Sequence, residues 1–164
     1  MKKIFYLILI TVMLLILDNT LVPFFSINYI YPSLLVVFII SYSIINGATE
    51  GILLGIFVGA LQDLYFYNGV GINMLTNMII CLLASQIGKG IFKDKSIVPI
   101  VSTFFLSFLK GLFVFGILFL LKIKSGSLSI ILYKALYDMF ISIIIYRLVF
   151  KLSETKIMKK EWRF

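Results

Sequence analysis

The chain has 164 residues, of which 62% are hydrophobic and only 13% are charged, and its formal net charge is +8. With a mean hydropathy of +1.12, it lies far from water-soluble domains, which are roughly 45–50% apolar and about 25% charged. The composition therefore excludes a soluble globular protein and predicts a single all-α integral membrane domain.

Six apolar segments follow one another and predict a bundle of six transmembrane helices. Their predicted bounds are residues 4–22, 33–46, 48–67, 72–87, 97–121 and 129–150. Most of these segments have nearly the ~20 residues that are needed to cross a bilayer. The second, with 14 residues, is short enough to be tilted, kinked or incomplete. Pro23, Pro32 and Pro99 support the boundaries, because proline is tolerated beyond a helix end or in a first turn.

The basic residues predict the orientation of the bundle. With six crossings, most Lys and Arg residues fall on the side of both termini, whereas Lys122 and Lys124 fall in an outer loop and Lys134 just beyond it. Cytoplasmic loops are enriched in Lys and Arg, so both termini are predicted to be cytoplasmic. Residues 1–150 then form the transmembrane domain, and residues 151–164 form a basic cytoplasmic tail.

The positive charge also bears on the kinds of partner that the chain could bind. The basic tail acts either as a topology anchor or as a segment that lies on anionic lipid headgroups. The remaining cations are dispersed among separate loops, with no basic patch interleaved with aromatic residues. This pattern predicts contact with membrane lipid and excludes nucleic-acid binding.

Glycine recurs at every fourth position in the third segment, at Gly47, Gly51, Gly55 and Gly59, and the next step of this series is Asp63. Glycines at this spacing allow helix backbones to approach closely inside lipid, where no hydrophobic effect drives helices together. The series predicts a packing face, either against a neighbouring helix of the same chain or against a partner protein. Replacing Gly55 with Leu would distinguish the two interpretations.

Two ionisable residues lie deep in the fifth and sixth segments by residue count. Lys110 and Asp138 are near the middle of antiparallel segments, and Lys134 lies one helical turn before Asp138. A lone charge at the bilayer centre costs at least about 2.5 kcal/mol, so intramembrane charges usually pair. Lys110 and Asp138 are predicted to form an intramembrane charge pair, in which Lys134 could share the carboxylate, and this group would join the two helices as a buried clasp. The functional alternative is that the three residues relay protons or bind an anionic solute.

Two other acidic residues fall near the outer boundary of the membrane. Asp18 lies toward the outer end of the first segment, and Asp63 precedes Tyr65 and Tyr67, which suit a headgroup belt. Asp18 is expected to be simply hydrated at this boundary. For Asp63 two interpretations stay open: it is hydrated at the boundary, or it contacts a partner protein.

The sequence offers little that could support catalysis or a cofactor. It has no histidine and a single cysteine, Cys81, so it lacks the commonest general base and any cysteine-based metal site. It also lacks a nucleophile elbow, a phosphate-binding loop and a zinc-binding helix motif. We therefore predict a protein that is not an enzyme and has no cofactor or metal.

The first half of the chain contains a set of short motifs in a fixed order. They span residues 18–73 and are Asp18-Asn19-Thr20-Leu21-Val22-Pro23, Pro32-Ser33-Leu34-Leu35, Gly47, Glu50-Gly51, Gly55, Gly59, Asp63, Gly69, Gly71 and Asn73. This set resembles the rod shape-determining protein MreD family. The chain departs from the usual family pattern at Ser33, where an acid is common, and at Asn19, where glutamine is common. Beyond residue 73, length, six spans and the basic tail agree.

The resemblance implies a non-enzymatic scaffold or regulatory subunit of the bacterial cell-elongation complex, which maintains rod shape and builds peptidoglycan. Its implied location is the cytoplasmic membrane, and its implied partners are an MreC-like protein, cell-wall synthesis enzymes and the actin-like MreB filament. The implied fold is similar to the substrate-binding components of energy-coupling-factor transporters, with six helices around a cavity.

The similarity in fold supplies an alternative function, a small-solute component of an energy-coupling-factor type vitamin transporter. Such components usually dock on their transporter through a stripe of alanines in the first helix. The first segment here contains no alanine, which favours the cell-elongation function.

Overall fold

The computed structural model describes residues 2–28, 30–66, 71–90, 97–123 and 127–155, and within these ranges the chain is helical without named strands. The helices are α1 (Lys2–Thr20), α2 (Leu34–Asn46), α3 (Ala48–Phe66), α4 (Ile72–Lys89), α5 (Ile97–Leu120) and α6 (Leu128–Glu154), with a 3₁₀ turn at Val22–Phe25. The predicted all-α fold with six helices is confirmed, and most helix bounds differ by only a few residues from those predicted.

Three of the described helices are long and apolar enough to cross a membrane by length and composition. They are α1 between Lys3 and Thr20, α5 and α6. Many of their large apolar side chains point outward, as at Phe5, Phe105 and Phe140, each more than 60% exposed. Such surfaces suit lipid rather than water, so the helices define a membrane protein.

The short helix α2 lies at the centre of the bundle. Every residue from Leu35 to Ile45 is buried, and α2 contacts α1, α3, α4, α5 and α6. Its apolar residues run around the whole circumference, which is the pattern of a helix enclosed by others. Its 13 residues reach only about 20 Å, less than the ~30 Å hydrocarbon core.

Several helix ends lie at one end of the bundle. A single residue, Gly47, separates α2 from α3, and its φ of +91° is a conformation that glycine adopts most easily. At the same end, the Lys3 ammonium forms an ion pair with Glu50 at 2.6 Å, and the Asn46 amide donates to the Ser153 hydroxyl at 3.0 Å. The first residues of α1 and the last turn of α6 therefore lie at the same end of the bundle.

Part of the predicted tail belongs to a helix. α6 continues to Glu154, so residues 151–154 extend the last helix beyond the predicted boundary at residue 150. Residues 156–164 lie outside the described residues, as do Tyr67, Gly69 and the side chain of Tyr65. The predicted headgroup belt and the lipid-binding tail therefore stay predictions.

Candidate functional site

A cavity of about 330 Å³ lies beside the amino-terminal end of α2, and all six helices contribute to its lining. Its polar lining residues are Asp18, Ser33, Gln62, Asn73, Ser107, Lys110, Ser127, Lys134 and Asp138. The volume falls at the lower end of the range of roughly 300–1,000 Å³ that is typical of small-molecule sites. We refer to this region as the polar cavity.

Asp18 caps the start of α2 from the end of α1. Its carboxylate accepts hydrogen bonds from the Leu34 and Leu35 amides at 2.8 and 3.1 Å and from the Ser33 hydroxyl at 3.2 Å. Helix amino termini carry unpaired amides and a partial positive charge, so a carboxylate is favourable there. Asp18 is 9% exposed, and the prediction that it is simply hydrated at the membrane boundary is wrong, because α2 supplies donors that replace water.

Asp138 reaches the same helix end from α6. One carboxylate oxygen accepts the Ser33 amide at 2.8 Å, and the other accepts the Ser107 hydroxyl of α5. Asp138 is fully buried, and these two donors compensate for its loss of water. Ser33 is thus held by two carboxylates, Asp138 through its amide and Asp18 through its hydroxyl.

Lys110, Lys134 and Asp138 share the polar cavity, but they do not form the direct ion pair that the sequence favours. Within the described part of the chain, the one ion pair within 4.0 Å is that of Lys3 with Glu50. The buried Lys110 ammonium instead lies 3.4 Å from the Gln62 side-chain oxygen. The Lys134 ammonium lies 5.9 Å from the Tyr31 ring centroid. The Asp138 carboxylate accepts from Ser33 and Ser107 instead. Both lysines line the polar cavity without an ion pair to this carboxylate.

Three glycines of the predicted series, Gly51, Gly55 and Gly59, lie against helices of the same chain. A Cβ atom at Gly55 would come within 2.7 Å of the Cys81 sulfur and 3.0 Å of the Asn77 carbonyl oxygen of α4. A Cβ at Gly59 would collide with the main chain of Met74, and one at Gly51 with the Ser43 side chain of α2. We call Gly51, Gly55 and Gly59 the glycine seam.

The other two residues of the series have separate tasks. Gly47 makes the turn between α2 and α3, and a Cβ atom added there would meet nothing within 4 Å. Asp63 caps α4, because its carboxylate accepts the amides of Gly71, Asn73 and Met74 at 2.9–3.1 Å. The Asn73 side-chain amide also donates to Asp63, at 3.0 Å. Within the described residues, these interactions are all internal to the chain.

Several residues of the polar cavity were not predicted from the sequence. Ser33 carried a usable signal, because a serine after proline and before an apolar run is a typical N-cap. Gln62 and Ser107 had no such signal, since each is an isolated polar residue in an apolar helix whose partners are distant in sequence. Gln62 accepts from both Lys110 and Asn77, which links α3, α4 and α5.

The fold and the cavity define a small all-helical membrane protein with a polar site near one end of its bundle. A family model described as rod shape-determining protein MreD matches residues 1–156 of the 164-residue chain. The chain belongs to this family, as its first-half motifs indicated. No curated protein and no solved structure shows a significant match to the chain.

Proposed function

We propose that the chain is a non-enzymatic, multi-pass subunit of the bacterial cell-elongation machinery, resident in the cytoplasmic membrane. The observation that carries this proposal is the family match, which covers residues 1–156 and indicates a role in determining rod shape. In this function the protein organises other membrane proteins through contacts between transmembrane helices, and it catalyses no reaction itself.

The proposed topology has both termini in the cytoplasm. It is supported by the contacts of Lys3 with Glu50 and of Asn46 with Ser153, which bring the start of α1 and the end of α6 to one end of the bundle. Lys89 ends α4, whose preceding Gly88 lies against Ile44 at this same end. A cluster of basic helix ends is typical of the cytoplasmic side. The polar cavity then lies toward the opposite side.

Partner contact would use outer helix faces, because the glycine seam is occupied inside the chain. α1 packs mainly on α2, and four of its strongly exposed side chains form a stripe at helical spacing. These side chains belong to Phe5, Leu9, Met13 and Ile16, each 56–66% exposed. We propose that an MreC-like single-span protein packs on this stripe. Wall-synthesis enzymes and the MreB filament would then join through the assembled complex.

Affinity purification of the tagged chain from its native cell in mild detergent tests the proposal. We expect to recover an MreC-like protein with the natural chain and to lose most of it with the double variant Phe5→Ala and Met13→Ala. The matched control is the double variant Phe105→Ala and Phe140→Ala, on equally exposed faces of α5 and α6. Equal recovery with both variants would place the contact elsewhere, and failure to recover any such partner would contradict the proposal.

The polar cavity supports a second candidate function, the small-solute component of an energy-coupling-factor type transporter. Its volume of about 330 Å³ and its buried polar lining suit a small ligand. The same purification distinguishes this candidate, because it predicts recovery of an ATPase module together with a bound metabolite and no MreC-like protein.

A further inference from the structure

The polar cavity has a polar end and an apolar wall. The polar end contains Lys110, Lys134 and the two carboxylates that hold Ser33. The apolar wall is formed by Val114, Phe115 and Leu118 of α5 and by Ile130 and Ile131 of α6. A ligand that matches both parts would place a polar group next to the amines and could extend an apolar portion along α5 and α6.

The carboxylates at the polar end already have their hydrogen-bond donors. Both oxygens of Asp18 accept from the first residues of α2, and both oxygens of Asp138 accept, one from the Ser33 amide and one from the Ser107 hydroxyl. The positive end of the α2 dipole balances part of the negative charge. The acidic side chains thus serve mainly to fix α2, α5 and α6 in place.

The amines have much less compensation. An ammonium group has three donors, yet Lys110 is 8% exposed and makes one long hydrogen bond, to a Gln62 oxygen that Asn77 also uses. Lys134 contacts the face of Tyr31, and within the described residues neither amine has an ion pair within 4.0 Å. Both amines line the same cavity as Asp138, whose two oxygens accept from Ser33 and Ser107 instead. Buried donors without acceptors are costly.

We propose that the polar cavity binds an anionic group, a phosphate or a carboxylate, between Lys110 and Lys134. The anion supplies acceptors for the N–H groups that the Gln62 oxygen and the Tyr31 ring leave unused. Charge-assisted bonds of this kind are stronger than neutral ones, and low-dielectric surroundings strengthen them further. The anionic group belongs either to a free solute or to the headgroup of a lipid whose chains follow the apolar wall.

The test uses the full chain in nanodiscs and measures its thermal unfolding. Inorganic phosphate is titrated into protein in phosphatidylcholine discs, and a second series replaces part of the phosphatidylcholine with phosphatidylglycerol. A ligand that binds only the folded state raises the melting temperature. We expect a rise in at least one series. A rise with phosphate indicates a free anion, a rise with phosphatidylglycerol indicates a lipid headgroup, and no rise in either series overturns the proposal.

Lysine variants show whether the effect comes from the cavity. Lys110→Met and Lys134→Met are each expected to weaken apparent binding about tenfold or more, since each removes a charge-assisted bond. Lys151→Met, an exposed residue of α6, is the matched control and should retain full binding. If Lys110→Met does not fold, the partly exposed Lys134 carries the test. Binding that is unchanged in Lys134→Met, or lost equally in Lys151→Met, overturns the proposal.

Discussion

The glycine seam and the polar cavity lie in the same bundle but differ in composition, because glycines form the seam and charged and polar side chains line the cavity. At the seam, residues without side chains bring α3 into contact with α4 and α2, and a Cβ atom would collide with main-chain or side-chain atoms. At the cavity, charged side chains hold α1, α2, α5 and α6 together through hydrogen bonds to Ser33 and its neighbours. The comparison indicates that close packing holds the helices together at the glycine seam, whereas hydrogen bonds to charged side chains hold them together at the polar cavity.

This difference has a consequence for function. A seam without space between its helices holds helices together, and the contacts of the glycine seam are with α2 and α4 of the same chain. A region held by hydrogen bonds can enclose a cavity, because its side chains span the distance between helices. We therefore expect mutations in the seam to remove the folded protein, whereas suitable mutations in the cavity alter binding in a protein that still folds.

The largest expected effect comes from Gly59→Leu in the seam. The new side chain would collide with the backbone of Met74, and backbone cannot move aside as a flexible side chain can. Overpacking usually costs about 1–3 kcal/mol and sometimes more, but a whole leucine side chain placed against backbone exceeds that usual range, and we expect a cost large enough to remove the folded protein. Gly116→Leu is the matched control, because a Cβ atom at Gly116 of α5 meets nothing within 4 Å.

Size-exclusion chromatography after heating measures the fraction of each glycine variant that stays folded. Gly59→Leu should be lost at temperatures at which Gly116→Leu and the natural chain survive. A folded, equally stable Gly59→Leu protein that no longer binds its partners would instead support a partner face at the seam. The same scan of Gly55→Leu gives an independent reading, since its Cβ atom meets Cys81 and Asn77.

The next largest effect is expected when the charges of the cavity are exchanged, in the double variant Lys110→Asp and Asp138→Lys. A simple ion pair would survive this exchange. In the structure, however, residue 138 must accept hydrogen bonds from the Ser33 amide and the Ser107 hydroxyl, and an ammonium group cannot accept. Leaving buried charge without suitable partners costs about 3–5 kcal/mol, so we expect the exchanged protein to unfold.

Asp138→Asn is the control for this exchange, because an amide retains one acceptor oxygen. It should lower the free energy of unfolding by about 1–3 kcal/mol, as measured by the shift in melting temperature in detergent. If the exchanged protein is as stable as the natural chain, the two residues act as an ion pair after all, and the hydrogen bonds to Ser33 contribute little.

The contrast also explains how much could be predicted from the sequence. The six helices followed from continuous apolar segments, and the packing face of α3 followed from glycine spacing, because both are periodic patterns within one helix. The cavity could be anticipated only in part, since Asp138 and Ser33 are 105 positions apart. Residue counting placed Lys110 and Asp138 at similar depth, but it could not show that a helix amino terminus competes with the amine for the carboxylate.

The smallest expected effects are those of Asp63→Asn and Asn73→Ala, which alter the polar contact between α3 and α4 without entering the glycine seam. The asparagine keeps one acceptor oxygen, while its amide group faces α4 amides that can only donate. Replacing a capping side chain with alanine costs about 0.5–2 kcal/mol, and we expect Asp63→Asn, which keeps one acceptor, to fall in the lower part of that range. Asn73→Ala, which removes only the side-chain bond to Asp63, should cost less. Measured in the same melting assay, a cost for Asp63→Asn equal to that of Gly59→Leu would show that the start of α4, rather than close packing along it, limits the stability of this region.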